Sequence, residues 1–279
     1  MIDLNTRYVS ILFVGHVNNA NNYDETIGNT RTLHHISMAD GSHINFSAVA
    51  IRAAIRDNAN EIGIPSWRNR GADHTFTYAD STGSPQRLMS DACSHLSQTK
   101  YFDTTCFGYL VAAKNSNGAT GSHSQVFVSP AVSLSPYRGD MEFNLGHKAK
   151  AGDDKSTLNP TSFEKHEDDY MFVMTVNAEA IRNINAEFGR NLFDTLVDEN
   201  GLRGLRFGGN HARNDAPFEP SFVAVQSHRV SGHNLNIDPS QIHTVEEIQE
   251  ALSHRQDVEF ASGKANVADV LRRIRNSVF

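Results

Sequence analysis

The run at 170–176, Tyr-Met-Phe-Val-Met-Thr-Val, is apolar at almost every position. A strand without polar alternation is covered on both faces, so this one belongs inside a sheet rather than at its surface. The segment 8–17 is of the same kind, apolar and β-branched, and 221–230 predicts a further strand. Elsewhere the period changes. Ser47 stands at an N-cap position ahead of Ala48-Val49-Ala50-Ile51-Arg52-Ala53-Ala54-Ile55-Arg56, where Ile51 and Ile55 share one face, and this predicts a helix. Ile181, Ile184, Phe188, Leu192 and Leu196 predict a second helix over 178–197. Two more are expected at 244–254, where Thr244 and Glu247 form a capping box, and at 266–275.

The connecting segments have their own chemistry. Asn and Gly make 18–30 a loop, 31–38 reads as a strand, Ala39-Asp40-Gly41 as a tight turn, and 42–46 as the returning strand. Residues 102–113 read as β-like and 115–122 as a polar loop; 124–135 reads as a strand region broken at Pro130. Two polar stretches, 64–86 and 138–168, read as irregular insertions. Hairpins mixed with crossovers predict an α+β fold, a small antiparallel sheet with helices on one face in the ferredoxin-like manner. With 279 residues the chain has the length of one large domain or two small ones.

Charge and cysteine usage narrow the function. Lys and Arg number 25 against 32 Asp and Glu, a net charge of −7, which argues against a uniformly basic nucleic-acid binder. Positive charge is local instead: 203–213 holds three arginines, one histidine and no acid, and 264–275 holds four bases against Asp269. One basic groove on an acidic body fits. Cys93 and Cys106 form no CxxC, and the run 8–14 is too short to span a bilayer and lacks signal-peptide flanks. A cytoplasmic protein with no membrane partner is expected.

Fourteen histidines raise a histidine-dependent metal phosphoesterase or nuclease as the alternative. Gly209-Asn210-His211 has the Gly-Asn-His string of such enzymes, but Ala72-Asp73-His74 has the wrong acid–histidine spacing, and Gly139-Asp140 lacks a second aspartate. Neither HExxH, a G-x-S-x-G elbow, a Walker A loop nor G-x-G-x-x-G occurs. No catalytic residue, metal ligand or cofactor is therefore assigned, and the histidines are expected to be surface or hydrogen-bonded groups.

Two segments point to phosphate instead. A serine-capped helix start presents backbone amides to an anion, and Arg52 and Arg56, one turn apart, extend that surface unless they simply face solvent. In Gly208-Gly209-Asn210-His211-Ala212-Arg213 the glycines allow close backbone approach and Asn210, His211 and Arg213 supply donors, unless the segment is only a turn.

In order along the chain, these pieces resemble a known family. The helix 47–56 is similar to the serine-led, doubly basic first helix of CRISPR-associated Cascade backbone subunits, the Cas "seven" family, with the DevR autoregulator branch of type I-B systems the nearest likeness. The Asn-rich loop, the Asp-Gly turn, Asp103 followed by Phe107-Gly108, Ser129-Pro130-Ala131-Val132-Ser133-Leu134 and the glycine-rich loop 208–213 agree with it in succession. The resemblance implies a modified RRM-like palm carrying a finger-like insertion at about 59–90 and a thumb-like one at about 137–168. It implies a non-catalytic subunit that grips the backbone of a guide RNA (crRNA) and oligomerises along it beside other Cascade subunits. Target DNA then pairs with the guide. Ser47, Arg52, Arg56, Asn210, His211 and Arg213 would meet the guide, Met141, Phe143 and Leu145 would wedge against bases, and Lys148 and Lys150 would meet phosphates. Asp24 lies where related type III subunits carry a cutting aspartate, but the likeness is to the non-cutting branch and no catalysis is assigned. No stacking signature of base-reading RRM sheets is present, as expected if the guide is held by its backbone.

Overall fold

A computed structural model describes residues 5–18, 20, 23–27, 30–65, 78–79, 85–86, 101–112, 119–148, 157–207, 217–229, 235, 237–255 and 257–279. In chain order the strands β1 (Tyr8–Val17), β2 (Tyr23–Ile27), β3 (Thr30–Leu33), β4 (His35–Ser37) and β5 (Ser42–Phe46) lead into helix α1 (Ala48–Glu61). The short strands β6 (Tyr78–Ala79) and β7 (Pro85–Gln86) precede helix α2 (Phe102–Phe107), which is followed by β8 (Tyr109–Ala112), β9 (Ala119–Ser122), β10 (Val126–Val128) and β11 (Ala131–Ser133). Next come β12 (Met141–Lys148), β13 (Thr157–Glu164), β14 (Asp168–Asn177) and helix α3 (Ala178–Asp194). The chain closes with β15 (Val197–Asp198), β16 (Gly201–Leu202), β17 (Glu219–His228), α4 (Val245–Ser253), β18 (Val258–Ser262) and α5 (Lys264–Val278).

The apolar runs occupy the middle of the main sheet. Its order is β18-β17-β1-β14-β11-β5-β4, with β10 also paired to β14. Each of these pairings is antiparallel. β1 is zipped to β14 along its whole length, from Tyr8 opposite Asn177 to Val17 opposite Asp168. The two-residue period then sends alternate side chains to opposite faces. Val9, Ile11, Phe13, Phe172, Met174, Val223 and Val225 pack with Ile51 and Ile55 of α1, Ile181 and Leu192 of α3, and Leu271 and Ile274 of α5. Leu12, Val14, Met171, Val173, Phe222 and Ala224 face the other way, onto Leu235, Ile242 and the Ile248 and Leu252 of α4. Burying side chains of this size contributes about 1.5–3 kcal/mol each, which is why both faces are closed.

That closure corrects the expectation of helices on one face only: α4 covers the second. The insertions also differ from their reading as irregular. β12 and β13 form a hairpin, and β13 runs parallel to β3, giving a second sheet of order β12-β13-β3-β2. The strand β2 lies within the stretch expected to be a loop, so Asp24 sits in a strand. The short α2 replaces the first part of the strand expected over 102–113: Phe102 and Cys106 are both buried, at helical rather than alternating spacing. Of the finger-like segment, 59–61 belongs to α1, and most of the remainder lies outside the described residues. Among the described residues no helix is long and apolar enough to cross a membrane.

Candidate nucleic-acid interface

The start of α1 is built as expected. Ser47 has extended backbone geometry and its Oγ accepts the amide of Ala50 at 3.2 Å. The amides of Ala48 and Val49 have no carbonyl within the helix to bond, and the first turn holds no acidic residue to neutralise the positive end of the dipole. Val49 beside them is an exposed apolar residue. One turn on, the Nε of Arg52 donates to the Ala48 carbonyl at 3.1 Å. Backbone donors and a guanidinium thus share the first two turns, an arrangement that receives an anion without any base-specific group.

Arg56 has a different setting. Its Nε lies 3.4 Å from the carboxylate of Asp103, with side-chain exposures of 18% and 3% respectively. Its guanidinium carbon lies 4.7 Å from the centre of the Phe107 ring. The two arginines that look equivalent in the sequence therefore have unlike surroundings.

The inserted hairpin is rooted on the opposite end of the strand that leads into α1. Ser42, the first residue of β5, accepts the Tyr137 amide at 2.6 Å, and Ser47 follows the last. At about 3.3 Å per residue, helix start and hairpin root are separated by roughly 17 Å along the strand. The root is held by polar contacts. The carboxylate of Glu164 accepts the Leu33 amide at 2.7 Å and lies 2.8 Å from Nε2 of His35. Beyond the root, Met141 and Phe143 lie two apart on β12 and are 45% and 78% exposed. Exposed aromatic and thioether groups offer apolar surface of the kind on which flat rings can stack. Lys148 is the last residue of β12. Lys150, Asn210, His211 and Arg213 lie outside the described residues.

The histidines that are described mostly hold structure. His34 bonds the side chain of Asn45, His228 lies 2.9 Å from Ser10 Oγ, and His243 Nδ1 lies 2.8 Å from the Leu134 carbonyl. His43 has Nε2 3.0 Å from both Asp40 oxygens and Nδ1 2.7 Å from the Ser133 carbonyl. Asp40, His43 and Ser133 superficially suggest a nucleophile triad. Ser133 and His43 are fully buried, however, and Ser133 Oγ donates to the Ser135 carbonyl while accepting the Ile44 amide. This group ties β5 to β11 and to the turn before β5, and it offers no accessible nucleophile. Among the described residues no cluster of three His, Cys, Asp or Glu side chains suits a metal ion. Cys106 is buried and its thiol is pushed far above its usual range, first by loss of solvent and then by the Asp103 charge, so it is unreactive.

Sequence reasoning missed Asp103 as the partner of Arg56 and Glu164 as the anchor of the hairpin. Both are acids whose partners lie far along the chain, and no local period marks them.

No protein-family model matches the chain. It is 28% identical over 172 residues to a CRISPR-associated protein Cas7/Cst2/DevR of Myxococcus xanthus (strain DK1622), a match covering 58% of this chain. The match spans 55% of that relative's length. In fold, it aligns with a chain of a CRISPR RNA-guided surveillance complex in a pre-nicking state at a TM-score of 0.63 and 11% identity, covering 98% of this chain and all of the other. A second CRISPR RNA-guided surveillance complex aligns at a TM-score of 0.56 and 11% identity, covering 91% of this chain and 88% of that one. In sequence over its matched part, and in fold over nearly its whole length, this chain is thus similar to the CRISPR-associated proteins that its ordered motifs resemble.

Proposed function

We propose that the chain is a non-catalytic guide-RNA backbone-binding subunit of a type I CRISPR effector complex in the cytoplasm, repeated along the crRNA. The observation that carries this reading is the sequence likeness to a Cas7/Cst2/DevR protein. The geometry agrees with it. The order β17-β1-β14, with β10 and β11 beyond, and α1 and α3 packed on one face, supports reading the main sheet as an RRM-like palm. The second face is closed by α4, so bases are not read on the sheet and the guide is gripped by the α1 start and the β12–β13 thumb.

In this reading Ser47, the Ala48 and Val49 amides and Arg52 hold phosphates. Met141 and Phe143 press on bases, and Lys148, Lys150, Asn210, His211 and Arg213 extend the phosphate track. Guide pairing then specifies target DNA, while further copies of the chain and other Cascade subunits complete the particle. A phosphate track selects no sequence, which suits a subunit that must accept any guide.

The test is retention of RNA. Purified with its neighbouring-gene products, the chain is expected to show a high 260/280 nm absorbance ratio that survives nuclease as a discrete protected RNA. Arg52→Glu is expected to lower retention about tenfold or more, since it replaces a phosphate contact by repulsion. A complex that stays RNA-free, even with guide added, overturns the reading.

A further inference from the structure

We infer that Arg56 acts from behind the interface as a positioning residue, locking the helix that carries Ser47 and Arg52 against α2, rather than as a phosphate ligand. The inference rests on the guide-binding reading and refines it. Asp103 is a buried carboxylate, and a buried charge persists only where an opposite charge and hydrogen bonds compensate it. The Arg56 guanidinium supplies compensation at 3.4 Å while its face lies over Phe107, which is itself buried. The same guanidinium donates through Nη1 to the Arg52 carbonyl at 3.5 Å, so it bridges α2 to the turn that bears Arg52. Drawing Arg56 out to a phosphate would strip Asp103 of this partner and Phe107 of its cation. The planar, always charged group suits this double role, in which it stacks and pairs at once.

The experiment measures the affinity of the full chain for a single-stranded RNA oligonucleotide of mixed sequence across a salt series, at a temperature where every variant is folded. Each lost phosphate contact to a single strand lowers the magnitude of the salt slope by about 0.7. Arg52→Ala is expected to show that drop. Arg56→Ala is expected to bind about fivefold or more weakly with the wild-type slope, the size of an ordinary coupling between sites. Asp103→Asn decides the matter even if Arg56→Ala does not fold. If Arg56 positions α1, removing its carboxylate weakens binding as Arg56→Ala does. If Arg56 is a phosphate ligand, freeing it from Asp103 strengthens binding or leaves it unchanged. A slope drop of about 0.7 in Arg56→Ala, or unchanged or stronger binding by Asp103→Asn, overturns the inference while the guide-binding reading stands. Wild-type chain that binds no RNA at any salt overturns the guide-binding reading itself, which is a different result.

Discussion

Asp168 joins the projecting hairpin to the main sheet. Its carboxylate accepts the Ser135 amide at 2.6 Å and the Ser135 hydroxyl at 3.2 Å, so residues at the two ends of the inserted segment are stapled together. His166 Nε2 lies 3.7 Å away, beyond hydrogen-bond distance. Burial pushes the Asp168 carboxyl up, but the His166 ring and the Ser135 and Asp169 amides outweigh it and hold it below the usual 3.8. A carboxyl depressed on folding contributes stability that is complete above its unfolded value and is lost as pH falls through its folded one. Asp168→Asn is therefore expected to cost about 1–3 kcal/mol at pH 7 and to flatten the acid side of the stability curve below about pH 4. Urea titrations over that range check this; a variant with wild-type midpoint at neutral pH would remove Asp168 from this role. The role was hidden in the sequence, where Asp168 is one acid among several in a charge-dense stretch.

At the scale of elements, the turn from α2 to β8 is the strictest point. Gly108 has a φ of 68°, and a Cβ there would lie 2.5 Å from the Ser122 carbonyl oxygen and 2.8 Å from the Ser124 amide nitrogen. Both obstacles are backbone, so neither yields cheaply. Gly108→Ala is expected to lose about 1–3 kcal/mol or more, read as a lowered thermal midpoint. An unchanged midpoint would mean that the turn is not built this way. The sequence resemblance drew notice to Phe107-Gly108, whereas the helix before it went unread, since a run of six residues carries too little periodicity. Longer elements were legible. The Thr244–Glu247 capping box forms as expected, with Thr244 Oγ1 accepting the Glu247 amide and Glu247 accepting the Thr244 amide, both at 3.2 Å. The start of α1 was legible for the same reason, because a cap is a contact between residues three apart.

Across the whole molecule, Arg182 on α3 joins three remote parts. Its guanidinium donates to the Thr6 carbonyl at 2.8 Å and to the Val278 carbonyl at 3.0 Å, tying the lead-in to β1 and the end of α5 to one helix. Arg182→Ala leaves two carbonyls without this donor and is expected to cost about 1–3 kcal/mol. Hydrogen exchange should quicken at both ends of the chain together. Faster exchange at one end alone would show that the two are not held as a unit.

The amino-acid sequence by itself determined which segments are buried strands, where the long helices start, and that α1 starts at a serine cap. These depend on residues within about four positions of one another, so period and capping record them. Tertiary structure decided the strand order, the second sheet and the unlike surroundings of Arg52 and Arg56. In the second sheet the hydroxyls of Thr30 and Ser162 meet across 132 residues, and Arg56 pairs with Asp103. Such pairings follow from how packed faces bring distant acids, bases and strand edges together, and no local pattern encodes them.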